Sequence, residues 1–194
     1  MKKPIFLSAS VPTREPFVSD FDTVAIREAV LALVATVVRE RKLVFGGHPA
    51  ISPLVEHAAR SLGAVENVHI YQSQHFEKMI PLVARKFENL HWTKAVTGTD
   101  SDLLRSLTEM RLEMITKWDF SAAVIIGGME GIFEEVELFK HHHPKAPIIA
   151  VGSTGGAAKK VLADEGYPWN ERFISDLTTE RRYRQLFRAL LPKD

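Results

Sequence analysis

Apolar residues along this chain fall into short solid runs that end in small residues and longer runs spaced three and four apart. Ile5-Phe6-Leu7, ending at Ser8-Ala9-Ser10, reads as a buried strand entering a loop that carries Pro12, Thr13, Arg14 and Pro16. A long helix is predicted from about Asp22 to Arg41, with Asp22 as its N-cap and Arg39, Arg41 and Lys42 at the end that favours cations. Leu43-Val44-Phe45 is a second strand, closed by Gly46-Gly47. Ser52-Pro53 then supply an N-cap and a first-turn proline for a helix that ends at Gly63. A third strand spans Asn67 to Tyr71. A helical stretch follows from about His75 to Glu88, bent or broken at Pro81. Leu90 to Val96 alternates as a strand, Asp102 to Lys117 has helical periodicity, and Ala122 to Ile126 is again a strand. A helix from about Ile132 to His141, a strand from Pro147 to Val151, a helix reaching about Glu165 and a basic helix from Thr179 to Leu191 complete the chain.

Strands that alternate with helices call for a parallel sheet covered on both faces. The expected fold is therefore α/β: a Rossmann-like, doubly wound, mainly parallel sheet of about six to seven strands flanked by helices. The 194 residues are expected to form one domain, 1–194, since neither an internal repeat nor a low-complexity linker divides them.

Composition narrows the function. Twenty-five Lys and Arg face 24 Asp and Glu, for a net charge of +1. No global field draws the protein to nucleic acid or membrane, so an anionic ligand needs a local site. There is no cysteine, which excludes disulfides, thiolate metal sites and cysteine nucleophiles. Met-Lys-Lys-Pro leads straight into the first strand with no signal-peptide core, and Ala29 to Val38 is about half a membrane span in length. A soluble, cytoplasmic protein is expected.

Three strands end in glycine-rich turns that open helices: Gly46-Gly47, Gly127-Gly128 and Gly152-Ser153-Thr154-Gly155-Gly156. Ser8 and Ser10 make a fourth such turn with hydroxyls in place of glycine. In a parallel sheet these turns share the carboxyl edge, where open α/β sheets bind ligands. Glycine lets a phosphate approach the backbone, and each following helix offers free N–H groups and a positive dipole end. Any single turn equally suits a plain tight connection; several on one edge favour a shared anion crevice. Neither a Walker loop nor the dinucleotide fingerprint GxGxxG is present.

Arg111 lies on the helix before the 122–126 strand, and Glu134 and Glu135 lie in the first turns of the helix after it. Their inner faces can meet near that strand's carboxyl end. A guanidinium holds phosphate in a two-pronged grip. A glutamate can bind ribose hydroxyls or stabilise an oxocarbenium-like sugar. Read on chemistry alone, the same residues also suit a solvated surface face.

The run from Arg111-Leu112-Glu113-Met114 through Ile126-Gly127-Gly128-Met129-Glu130-Gly131-Ile132-Phe133-Glu134-Glu135 resembles the signature of the LOG superfamily. LOG enzymes are nucleoside 5'-monophosphate phosphoribohydrolases whose pattern pairs Arg-Lys with PGGxGTxxE. The resemblance covers residues 4 to 156. Arg111, Gly127, Gly128, Gly131 and Glu135 match, whereas Leu112, Ile126 and Ile132 stand where the pattern has lysine, proline and threonine. Phe6-Leu7-Ser8-Ala9-Ser10 and Val151-Gly152-Ser153-Thr154-Gly155-Gly156-Ala157 are closer to the SLOG branch. SLOG domains are sensors of nucleotides or NAD-derived signals, found beside sirtuin and TIR domains in bacterial defence systems and in TRP-melastatin channels.

The resemblance implies a pocket lined by Ser8, Ser10, Gly46, Gly47, His48, Arg111, Gly127, Gly128, Gly131, Glu135, Ser153 and Thr154. The first reading is a module that binds a nucleotide or an ADP-ribose-like molecule. The second is a hydrolase of the N-glycosidic bond, with Arg111 and Glu135 catalytic. The third is an oligomeric scaffold with a vestigial pocket. A homodimer or higher homo-oligomer is implied by resemblance; no cofactor and no metal are expected.

His141-His142-His143 point in different directions on a helix and suit its C-terminal dipole better than a metal. Trp92, Trp118 and Trp169 are read as packing residues. Arg14 can cap a phosphate or stay on the surface. The tail helix docks Leu186, Phe187, Leu190 and Leu191, and nucleic-acid binding through it is the lesser reading.

Overall fold

The structure is a computed structural model that describes residues 2–80, 82–98, 101–164 and 171–193. Six strands, β1 (Lys2–Ser10), β2 (Arg41–Gly46), β3 (Val68–Ser73), β4 (Asn89–Thr93), β5 (Ala122–Gly127) and β6 (Ile148–Val151), form one sheet. Their order is β4-β3-β2-β1-β5-β6, and every neighbouring pair runs parallel. The helices are α1 (Thr23–Val37), α2 (Ser52–Ser61), α3 (Asp102–Thr116), α4 (Gly131–His142), α5 (Gly156–Ala163), α6 (Glu171–Thr179) and α7 (Tyr183–Leu190). This is the doubly wound, Rossmann-like α/β fold.

The connectivity positions the site. From β1 the chain builds outward through β2 and β3 to β4. It then returns through α3 and builds the other way through β5 to β6. The winding reverses where β1 meets β5, so the helices on either side diverge and leave a crevice at the strands' carboxyl ends. Helices cover both faces, and β5 and β6 are accordingly buried along their whole length. Phe6 sits at the centre of the core, stacked on Phe139 and tilted against Phe120, each at 5.7 Å between ring centroids. β4, on the edge, is mostly half-buried and ends at Thr93, three residues short of the predicted strand.

Asp22 caps α1 as expected, its Oδ1 accepting the Ala25 N–H at 2.9 Å. The far end differs. α1 stops at Val37, and Arg41 already belongs to β2, where its buried guanidinium donates to the Ser121 hydroxyl at 2.8 Å. Arg41 is thus a tertiary tether rather than a helix-end cation. Ser52 is not the N-cap of α2 but its first residue; Ile51 takes the cap position, and the Ser52 hydroxyl accepts the His48 N–H at 3.2 Å.

The predicted helix from His75 to Glu88 is replaced by two short 3-10 turns, Gln74–Phe76 and Ala84–Lys86. The Ser73 hydroxyl accepts the His75 N–H and closes the first turn. Pro81, itself outside the described residues, has no N–H for a longer ladder. Ile80, Ala84 and Phe87 are buried at near-helical spacing, so burial rather than helicity explains that pattern.

The predicted tail helix, 179–191, is present as α7 but starts four residues later, and a separate helix not predicted from the sequence, α6, precedes it. α6 ends at Thr179, and Glu180 accepts the N–H groups of Arg181 at 2.8 Å and Arg182 at 2.7 Å, so that α7 starts at Tyr183. Its Arg182 partner, with these backbone donors, holds the Glu180 carboxyl down at about 2. Leu186 and Phe187 are buried as expected, with α7 packed on α1. Trp169 and the predicted end of the 156–165 helix at Glu165 lie outside the described residues. Among the described residues no helix is long and apolar enough to cross a membrane.

Candidate functional site

A cavity of about 250 Å³ opens at the carboxyl ends of β1 and β2, between α3 and α4. It occupies the place where the sheet changes winding direction. Ser8 and Ser10 come from the end of β1, and Gly46, Gly47 and His48 from the end of β2. Arg111 comes from α3, and Gly131 and Glu135 from α4. Eight of the sequence-predicted residues thus meet in one place.

Arg111 is the centre of its charge pattern. Only 8% of the residue is exposed, although it carries a full charge. Its Nη1 donates to Glu134, and its Nε lies 3.5 Å from Glu135 Oε1. The other oxygen of Glu135 accepts the Ser8 hydroxyl at 2.5 Å. Burial pushes the Glu135 carboxyl above the usual range, and Arg111 and Ser8 pull against that shift. Ser8, Glu135 and Arg111 therefore form one chain of polar contacts along the cavity floor. Glu134 differs from Glu135 in exposure: over half of its side chain is in solvent, against 15% for Glu135.

The local sequence explains how α4 comes so close to Arg111. A Cβ at Gly131 would lie 2.5 Å from Arg111 Nη2, so a side chain on the first residue of α4 would displace the guanidinium from its present position. The preceding loop has φ of +60° at Gly127 and +87° at Gly128, values that disfavour any side chain. These two glycines do not line the cavity. They lock the loop in place: the Gly128 N–H donates to the Ser10 carbonyl at 2.8 Å, and the Gly128 carbonyl accepts the Ala157 N–H at 2.9 Å.

Ser153 and Thr154, predicted in the same pocket, are elsewhere. Thr154 is fully buried; its hydroxyl accepts the Gly127 N–H at 2.9 Å and donates to the Val151 carbonyl at 2.6 Å. Ser153 turns toward the tail, donating to the Glu180 carbonyl at 3.1 Å beside Tyr183. The third glycine turn therefore braces the second one and the C-terminal helices.

Other residues reach the cavity without having been predicted. Leu107 and Met110 of α3 form part of its wall with Met129 and Ile132. Leu107 precedes Arg111 by four positions and so shares its helix face, a signal that spacing alone carries. Arg14 stands at the mouth, pairing with Glu130 at 2.9 Å; the backbone N–H of Glu130 itself, and then the Arg14 guanidinium, hold the Glu130 carboxyl low. His48, on the β2 side, is half-buried, and burial pushes its imidazole toward the neutral form. Of the residues set aside, His143 uses its ring on the Ile115 carbonyl at 2.8 Å, and the Trp118 indole N–H donates to the Tyr71 hydroxyl at 3.1 Å.

The comparisons with known proteins converge on this fold. Residues 16–191 match the family model of the SLOG cluster3 family. The X-ray structure of TM1055, a target of the Northeast Structural Genomics Consortium, is 16% identical, covers 89% of each chain and superposes with a TM-score of 0.53. At that identity the likeness concerns the fold alone. No functionally curated protein matches the chain.

Proposed function

The chain belongs to the SLOG cluster3 family, and from that membership we propose that it binds a nucleotide or an NAD- or ADP-ribose-derived molecule in the cavity at the β1–β2 carboxyl edge. One observation carries the reading: a nearly buried Arg111, aimed between α3 and α4, with the Ser8–Glu135 pair beside it. A buried guanidinium is costly to keep unless something uses its charge. Here the half-exposed Glu134 can leave it and an incoming phosphate can take its place. The N-terminus of α4 adds a positive dipole end on the same side. Glu135 is left to hold ribose hydroxyls.

The apolar Ile132, standing where the hydrolase pattern has threonine, favours binding over turnover. A second reading keeps the hydrolase: Glu135, buried beside Arg111 and fixed by Ser8, is suited to stabilising a ribosyl cation during N-glycosidic cleavage. One experiment separates the two. Thermal shift against AMP, other nucleoside monophosphates, NAD, ADP-ribose and cyclic ADP-ribose is followed by chromatography of each mixture. Stabilisation without released base, lost in Arg111→Ala, supports the binding module. Free base that disappears in Glu135→Ala makes the protein an enzyme. A silent panel counts against both and for the scaffold. The proposal extends to a signalling role in bacterial defence and to a homo-oligomer, which the exposed Leu103, Leu104 and Leu112 of α3 would favour. Light scattering showing a monomer at all concentrations would remove the latter.

A further inference from the structure

Beside the charged cavity lies a second chamber of about 360 Å³. The two share a wall made of Gly47, His48, Leu107 and Met110. Beyond that wall their chemistry differs. The first holds Arg111, Glu135 and Ser8; the second is closed by Phe76, Met79 and Ile80, from the loop that follows β3. Among its described lining residues the one polar side chain apart from His48 is Gln72, whose amide nitrogen already donates to the Gly47 carbonyl at 2.7 Å. No charged side chain is among its described lining residues. A ligand that spans both chambers has to be anionic and hydroxylated at one end and flat or apolar at the other.

We infer that the second chamber takes the aromatic base of the ligand whose phosphate and sugar occupy the first. The inference rests on the nucleotide reading given above and deepens it, because a bare sugar phosphate would leave this chamber unfilled. His48 stands on the partition. Its Nδ1 accepts the Ala50 N–H at 3.2 Å, which assigns the proton of the neutral ring to Nε2 and makes the partition a hydrogen-bond donor. Met79 is well exposed and Phe76 half-buried, so the chamber's outer wall can be altered without touching the core.

Calorimetric titration of the full chain with AMP, ribose 5-phosphate and adenosine tests this. The wild type is expected to bind AMP about tenfold or more tightly than ribose 5-phosphate, the scale of one stacked base. Phe76→Ala and Met79→Ser, each with an unchanged melting curve, are expected to bring AMP down to the ribose 5-phosphate level while leaving the latter within about twofold. Equal affinity for AMP and ribose 5-phosphate in the wild type overturns the inference and leaves the anion site standing. So does an AMP preference that survives both substitutions. Adenosine binding that Phe76→Ala abolishes, with ribose 5-phosphate silent, keeps the chamber and removes the anion reading. Silence from all three ligands overturns both.

Discussion

Arg111 divides its guanidinium between two glutamates of unequal exposure, and that asymmetry makes the site testable residue by residue. Arg111→Ala removes the cation and leaves Glu135 buried without its partner. Ligand binding should be abolished, and stability should fall by about 2–3 kcal/mol in urea titration, because a buried carboxyl must then stay protonated or lose burial. Arg111→Lys keeps the charge but not the fork, and is expected to recover stability better than affinity. Glu134→Gln acts in the opposite direction. Removing the competitor that occupies Nη1 should raise affinity for an anionic nucleotide by about three- to tenfold in calorimetry, with little change in melting temperature. Equal or weaker binding in Glu134→Gln would show that Glu134 does not compete. Arg111, Glu135 and their spacing were legible in the sequence. The division of labour between Glu134 and Glu135 was not, because it depends on which of two adjacent helical positions faces the sheet.

At the scale of elements, the loop between β5 and α4 owes its shape to its neighbours. Thr154 supplies the acceptor for the buried Gly127 N–H, and Ser10 supplies the acceptor for Gly128. Thr154→Val retains the volume and removes the acceptor, so it should cost about 1–3 kcal/mol in urea unfolding. Ser153→Ala should cost less, since the Ser153 hydroxyl is only partly buried and serves the tail. If Thr154→Val instead weakened ligand binding with stability intact, the glycine-rich third turn would belong to the pocket after all. The sequence presented all three glycine turns as equals. Only their packing separates the turn that meets the cavity from the two that support it, because glycine serves a tight turn and a close approach equally well.

At the scale of the whole molecule, the β3–β4 side carries a strongly pH-sensitive group, His69. His69 is 6% exposed; its Nδ1 lies 3.0 Å from His91 Nε2, and its Nε2 is buried with no hydrogen-bond partner among the described residues. Burial, with Lys42 and His91 adding repulsion, depresses its pKa to about 4. The unfolded chain takes up this proton near 6.5, so the neutral native form contributes stability that is complete above that value and lost as pH falls toward 4. Melting temperature should therefore drop from pH 7 to pH 5, and His69→Gln should flatten the decline. Glu135 works against the trend, since its raised pKa favours proton uptake by the folded state. A decline that His69→Gln leaves unchanged would assign the loss to other groups.

What the sequence determined by itself was local: the alternation of strands and helices, the turns between them, and an arginine and a glutamate flanking one strand. Periodicity reports contacts between near neighbours in the chain, and those contacts survive any arrangement of the elements. The tertiary structure decided what is set by residues far apart. It placed the winding reversal between β1 and β5, brought Ser8 onto Glu135 across 127 positions, and turned Ser153 and Thr154 away from the cavity. It also set two short turns where a helix was predicted over 75–88, and residues of and just after the first of them line an apolar chamber. Burial demanded by the sheet there outweighed the helical spacing that the residues display.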